Sequence, residues 1–346
     1  MIIIIIMDRL LQIPSESLVA LLYIYWNTYI LPIIIPGPSL ATSPNHRSQN
    51  LRADMNFGRF IVLISALVLQ VAANNYFTGI VASNSGSSPT YVCRTQEQWN
   101  TVASDAASAG FHSVRIEGFD CNALDMVSSA AKSAGITVLA GIFISGTILA
   151  NSVAIDNDVQ TFITAYHKYG ADLFVGLTVG NEVNDSPINI MNKVNQVQAL
   201  LASLQVTTPV STVHTWVMVR DNPVLCDGSF VGANAHAFYD GGQTSAQAGG
   251  FVFNTVVPAL QGACPGKQII ITETGWPSGG NTNNAAVPSI GDERTALSGL
   301  NCATKGAQGV SVYAFEYDDQ LWKPPGNEQS FGIFGKIANT DIYTAC

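Results

Sequence analysis

Seven glutamates follow Asn74 in this chain: Glu97, Glu117, Glu182, Glu273, Glu293, Glu316 and Glu328. Four of them, Glu117, Glu182, Glu273 and Glu316, stand at or just beyond the C-terminal ends of short apolar, β-branched runs. The clearest case is "IIITETGWPSGG", residues 269–280, where a core-like strand surfaces in Glu273. A carboxyl at a strand end is held rigidly and still meets ligand. Two such groups about 5 to 5.5 Å apart cleave a glycosidic bond with retention, one as nucleophile and the other first as acid, then as base. Their environments must differ, so that one stays ionised and the other protonated. Glu182 and Glu273 are the candidate pair. Asn181 offers an amide donor to a sugar hydroxyl, Trp276 an indole face for a pyranose ring, and Pro277 stiffens the turn.

Weaker candidates surround that pair. Glu117 reads either as a substrate contact or as a salt bridge to Arg115. Glu316 opens "EYDDQLWKP", where acids and aromatics crowd a strand end. His236 in "NAHAFYD" is a contact to the nucleophile or a satisfied core histidine, and Tyr239 follows it. Trp322 and Lys323 line a cleft or merely cover it.

The elements that must position these residues alternate along the chain. Strand candidates are 76–82, 112–118, 136–144, 172–181, 209–216, 230–238, 267–273 and 309–317. Helical patterns fall at 95–109, 123–134, 156–169, 188–204, 246–260 and 288–305, and several end at a glycine that leads into the next strand. The fifth unit is the weakest, since little helix fits between Trp216 and Phe230. Eight βα units with mostly continuous apolar strands point to one α/β domain, a single (β/α)₈ TIM barrel. A doubly wound open sheet would carry a Gly-rich phosphate loop after its first strand, and "IVASNSGSSP" is not one. In a barrel, strands four and seven lie across the mouth from each other, which brings Glu182 to Glu273.

Composition narrows the partners. The net charge is −9 and only 11% of residues are charged. No basic patch appears, which argues against nucleic acid and anionic membrane surfaces and favours a neutral substrate. "MNFGRFIVLISALVLQVAANN", from Met55, has the pattern of a secretory signal peptide spanning 55–73. Residues 1–54 are then expected to be a non-native leader or gene-model extension, the alternative being an N-terminal membrane anchor whose apolar stretches are short or broken by proline. The mature chain, 74–346, keeps 11 Lys and Arg against 21 Asp and Glu once the 4 and 3 upstream are set aside. All six cysteines, Cys93, Cys121, Cys226, Cys264, Cys302 and Cys346, lie in it. An even number in an exported chain suggests disulfides, with connectivity open, and the absence of CxxC spacing speaks against zinc. The expectation is a secreted or wall-associated monomer with no stable membrane insertion, no metal and no organic cofactor.

"LTVGNEVN" and "ITETGWPSGG", in that order and about 90 residues apart, resemble glycoside hydrolase family 17, particularly its fungal cell-wall β-1,3-glucanases and glucanosyltransferases. The likeness extends through "VRIEGFDCNAL", "GANAHAFYDG" and "VYAFEYDDQLWKP", covering residues 76–346. It implies Glu182 as acid/base, Glu273 as nucleophile, Asn181 as partner of the sugar 2-hydroxyl, and Glu316 and Lys323 in the acidic segment after strand eight. The implied activity is retaining hydrolysis (endo-β-1,3-glucanase) or glucanosyl transfer on cell-wall β-1,3-glucan. One departure stands out: Glu117 in "RIEG" occupies the place of the tyrosine in the family's "RVYG"-like run. Alternatives are a non-catalytic glucan-binding wall protein and a barrel hydrolase for another β-glucan linkage. In such a barrel Cys93 and Cys121 follow adjacent strands at the mouth, Cys226 and Cys264 precede adjacent strands at the base, and Cys302 is placed to join Cys346.

Overall fold

Eight parallel strands close into a barrel in chain order. They are β1 Gly79–Val81, β2 Ser113–Ile116, β3 Thr137–Ile142, β4 Phe174–Asn181, β5 Val210–Thr215, β6 Val231–Asn234, β7 Ile269–Thr274 and β8 Val310–Ala314. The computed structural model describes residues 74–338 and Cys346; the expected signal peptide, 55–73, and leader, 1–54, lie outside the described residues. All eight expected strands are present.

Helices α1 Gln96–Ser108, α2 Ala123–Ala134, α3 Ser152–Tyr169 and α4 Pro187–Ser203 follow the first four strands. Their ends carry local signals. Thr95 and Gln98 form a capping box before α1, Ser186 caps α4 with Pro187 in its first turn, and Gly135 closes α2 in the left-handed region, where a residue without a Cβ is favoured. The fifth unit is short, as its sequence implies: α5 Trp216–Asp221 and a 3₁₀ segment, Pro223–Asp227. The sixth departs from the single helix expected over 246–260. Helix α6 Ala248–Phe251 widens into a π-helical turn, Val252–Val256, before α7 Val257–Ala263. Pro258 supplies no N–H there, so the ladder cannot run through it unchanged. Helix α8 Ile290–Thr304 completes the ring.

Two apolar layers result. Val114, Ile116, Leu177, Val179, Ile269 and Ile271 face outward and pack with the helices, while Val81, Leu139, Phe230, Ile270, Tyr313, Phe315 and Phe331 fill the barrel interior. Strict alternation along β4 and β7 would therefore send Asn181 and Glu273 outward. Register shifts between Thr178 and Asn181 in β4, and after Ile271 in β7, reverse that and turn the strand tips toward the barrel axis. Two glycines let backbones meet under the mouth. A Cβ at Gly141 would stand 2.7 Å from the Ile116 carbonyl and 3.2 Å from Cα of Glu117, and one at Gly275 would overlap the Phe315 carbonyl.

Three disulfides, Cys93–Cys121, Cys226–Cys264 and Cys302–Cys346, tie neighbouring units, in the pairing that the barrel order implied. Among the described residues no helix is long and apolar enough to cross a membrane.

Candidate active site

Arg115 is the centre of the mouth. It points inward from β2, its side chain 1% exposed, and its guanidinium reaches three strands. Nη1 donates to Glu273 Oε1 at 2.7 Å, to Glu117 Oε1 at 3.1 Å and to the Thr272 carbonyl at 3.4 Å, and Nη2 donates to Asn181 Oδ1 at 3.1 Å. The other oxygen of Glu273 lies 3.2 Å from His236 Nε2. Burial works against charge on Glu273, but the Arg115 guanidinium and the His236 ring hold its carboxyl well below the usual carboxylate range. Those two partners favour its ionised form.

Glu182 has a different setting. It leaves β4 with φ of 50°, in the left-handed region that non-glycine residues seldom adopt, and its amide is held by the Val213 carbonyl at 2.8 Å. Loss of solvent in the cleft raises its pKa, Asn234 opposes the rise, and the nearby Glu273 charge adds to it. Asn234 Nδ2 donates 2.9 Å to Glu182 Oε1 and 3.1 Å to Asn181 Oδ1, while Thr272 Oγ1 donates 2.8 Å to Asn234 Oδ1 and so fixes the amide's orientation. With Oδ1 of Asn181 taking donors from both Arg115 and Asn234, its NH₂ is the end that faces the cleft. One carboxyl kept charged and one biased toward protonation is the division of labour that double displacement needs.

The mouth is a cleft of two lobes. One, about 580 Å³, is lined by Asn181, Glu182, Trp216, His236, Tyr239 and Glu273. The other, about 700 Å³, is lined by Tyr91, Phe119, Asp120, Phe143, Asp158 and Trp322. Glu117, Phe315 and Lys323 line both and mark where they join. A third cavity of about 720 Å³ opens at the opposite end of the barrel, among Thr78, Thr137, Ser229 and Ser311, and holds none of the candidate residues.

Most of the expected residues converge here. His236 contacts Glu273 and packs edge-on against Phe315 and Phe331, but its Nδ1 is buried without a hydrogen-bond partner, so it is not a satisfied core histidine. Glu117 both accepts from Arg115 at 3.1 Å and lines the cleft. Glu316, joined to Phe315 by a cis peptide bond, is 2% exposed; burial, opposed by Lys323, pushes its carboxyl well above the usual range. Lys323 Nζ lies 3.9 Å from Glu316 Oε1 and 3.5 Å from Glu328 Oε2, and the Tyr239 hydroxyl donates to Glu328. Trp322 stands edge-on to Tyr91 in the second lobe.

Trp276 does not converge. It is fully buried, its Nε1 donates 2.9 Å to the Val287 carbonyl, and its ring packs against Phe238, so no indole face is open to a sugar. The turn after β7 folds it under the cleft rather than into it. Asn234 and Thr272 join the site without having stood out in the sequence, and so does the aromatic wall of Tyr91, Phe119 and Phe143. The signal for Asn234 was a lone amide ending an apolar strand. Among the described residues no group of His, Cys, Asp and Glu has metal-holding geometry.

Comparison with known proteins gives the family and the fold. Residues 79–333 match the family described as the BtgE/BtgC glycoside hydrolase domain. The cell surface mannoprotein MP65 of Candida albicans is 32% identical over 253 residues, 70% of this chain and 63% of its own length. The probable family 17 glucosidase SCW10 of Saccharomyces cerevisiae is 32% identical over 252 residues, 70% of this chain and 61% of its own. The chain thus spans less than two thirds of either relative. Among solved structures, a glycoside hydrolase family 17 β-1,3-glucanosyltransferase from Rhizomucor miehei superposes with a TM-score of 0.63 at 23% identity, over 74% of this chain and 92% of its own. At that identity the likeness speaks for the barrel alone.

Proposed function

The chain belongs to the glycoside hydrolase family described by the BtgE/BtgC domain, and from that membership we propose that residues 74–346 are a catalytic domain acting on β-1,3-glucan by retention. The observation that carries the reading is the unequal pair in one cleft. Glu273 is held ionised by Arg115 and His236, and Glu182 is biased toward its acid form. Glu273 attacks the anomeric carbon while Glu182 protonates the departing oxygen. Glu182 then takes a proton from the incoming water or sugar hydroxyl, which displaces Glu273. Asn181 directs its free NH₂ to the 2-hydroxyl of the reacting sugar. Lys323, Glu316 and Tyr239 bind hydroxyls along the cleft, and the Tyr91 and Trp322 rings supply apolar faces.

Hydrolysis and transfer differ only in which acceptor reaches the glycosyl-enzyme first. The names of the relatives support a surface or wall location, reached through a signal peptide at 55–73 that is cleaved before a monomeric mature chain. The test is product analysis by mass spectrometry of the purified protein with reducing-end-labelled linear β-1,3-gluco-oligosaccharides, beside Glu273→Gln. Shorter products mean hydrolysis and longer ones transfer, and the variant should make neither. Substrate left intact while another β-glucan is cut would move the linkage assignment, for which the Glu117 departure gives a reason. No cleavage of any glucan, with binding retained, would favour a glucan-binding wall protein.

A further inference from the structure

Arg115 Nη1 is shared by two carboxyls. Glu273 Oε1 lies 2.7 Å from it and Glu117 Oε1 3.1 Å. This matters because the reaction proposed above, on which the inference rests, removes one of those partners. When the bond from the anomeric carbon to the leaving oxygen breaks, a new bond joins that carbon to Glu273, and the leaving oxygen takes the Glu182 proton. Glu273 is then an ester without charge. A guanidinium buried to 1% exposure would then lose its nearer carboxylate, and breaking a buried pair by removing one partner is strongly unfavourable.

We propose that Glu117 is the positioning residue that takes over Arg115 in the glycosyl-enzyme, losing its proton to cleft water as Glu273 is esterified and serving as the counter-ion until Glu273 is freed. The geometry supplies each part. Glu117 already touches the right nitrogen, and a third of its side chain is open to the cleft, so its proton has a route out. The groups facing it are Arg115 from β2, Glu273 from β7, and Glu316 and Lys323 from the segment after β8. In the free enzyme, burial and the Glu273 charge, opposed by Arg115, push its carboxyl up to about 7, which favours a proton on Glu117 below neutrality. Esterification removes the Glu273 repulsion and leaves Arg115 and Lys323, both of which favour ionised Glu117. A tyrosine at this position, as in the "RVYG"-like run, could not exchange a proton in that range.

The test traps the intermediate with a 2-deoxy-2-fluoro laminaribiosyl fluoride, whose fluoride departs without a proton from Glu182. Protons released per labelled site are counted in weakly buffered solution near ~pH 6 with an indicator dye, for wild type, Glu117→Gln and Glu117→Asp. Wild type should release about one proton more than Glu117→Gln, since each Glu117 gives up one. Labelling of Glu117→Gln should slow at least about tenfold, and Glu117→Asp, which keeps the charge, should recover to within about threefold of wild type. Equal proton release by wild type and Glu117→Gln overturns the hand-over. A mere folding defect would lower the labelled fraction and the melting temperature without changing protons per site. Peptide mapping keeps the two readings apart: a wild-type label off Glu273 sinks the nucleophile assignment, whereas a label on Glu273 with no proton difference sinks only the role of Glu117.

Discussion

Asn234 offers a sharp test of how Glu182, the proposed acid/base residue, is tuned. Its Nδ2 lies 2.9 Å from Glu182 Oε1, and Thr272 holds its other end at 2.8 Å. A donor aimed at a carboxylate favours the ionised form, so Asn234→Ala should raise the pKa of Glu182 beyond its already elevated position. Hydrogen bonds to charged groups contribute about 1.5 to 3 kcal/mol. Glu182 is exposed enough for water to replace part of this one, which points to the low end, ~1.4 kcal/mol, or about one pH unit. Double displacement requires protonated Glu182 in the first step, so the alkaline fall of kcat/KM reports its pKa in the free enzyme. That limb should move up by about one pH unit in Asn234→Ala on a β-1,3-gluco-oligosaccharide, and in the same direction but less in Thr272→Val. A limb that stays in place, or moves down, would refute the account.

Three further outcomes follow, two from buried groups and one from the cleft. Glu293 on α8 is fully buried with Lys336 Nζ 3.5 Å away, and burial, opposed by Lys336, pushes it up to about 8 from 4.5. The folded state keeps a proton that the unfolded chain loses, so wild-type stability falls as pH rises through that window. At 1.36 kcal/mol per pH unit the ceiling is about 5 kcal/mol, and the advantage of Glu293→Gln in urea unfolding should grow by several kcal/mol from about pH 5 to 9. A difference that stays level across that range would show that Glu293 does not titrate as described. Trp276→Phe should cost about 1 to 2 kcal/mol of stability through its lost bond to Val287 and leave KM within about twofold. Trp322→Ala should raise KM by about fivefold or more with little change in unfolding, as loss of a sugar platform implies. An increase in KM on Trp276→Phe would restore that residue to the cleft.

The barrel was legible because its strands are buried on both faces and so read as unbroken apolar runs, punctuated by glycines at the helix ends. The candidate pair, Glu182 and Glu273, was legible for a related reason: a carboxylate that closes such a run is costly to bury unless a partner or a ligand meets it there. Where the side chains point was not legible. By simple alternation Asn181 and Glu273 share a face with Val179 and Ile271, which pack under the helices, and only a slip in strand pairing turns them inward. No local residue preference announces that slip in β7. Arg115 was visible as an arginine inside a core strand, but its role as common partner of Glu117, Glu273 and Asn181 depends on three strands meeting. Trp276 misled for the opposite reason. An aromatic beside a catalytic carboxylate fits sugar stacking, yet the turn that carries it dives beneath the cleft.

Gly141 and Gly275 divide the molecule into parts that can be inherited separately. Where a single carbon at either position would strike the backbone beside Glu117 or Phe315, drift in the cleft floor is closed off, and the charged groups are passed on as a unit. Tyr91, Phe143, Tyr239 and Trp322 stand instead on the connections after β1, β3, β6 and β8, and no strand depends on their size. If the cleft acts on sugars as proposed, changes on these loops would alter which of them it admits without rebuilding its charged floor. A library built on those four connections would vary the walls of the cleft over an unchanged floor.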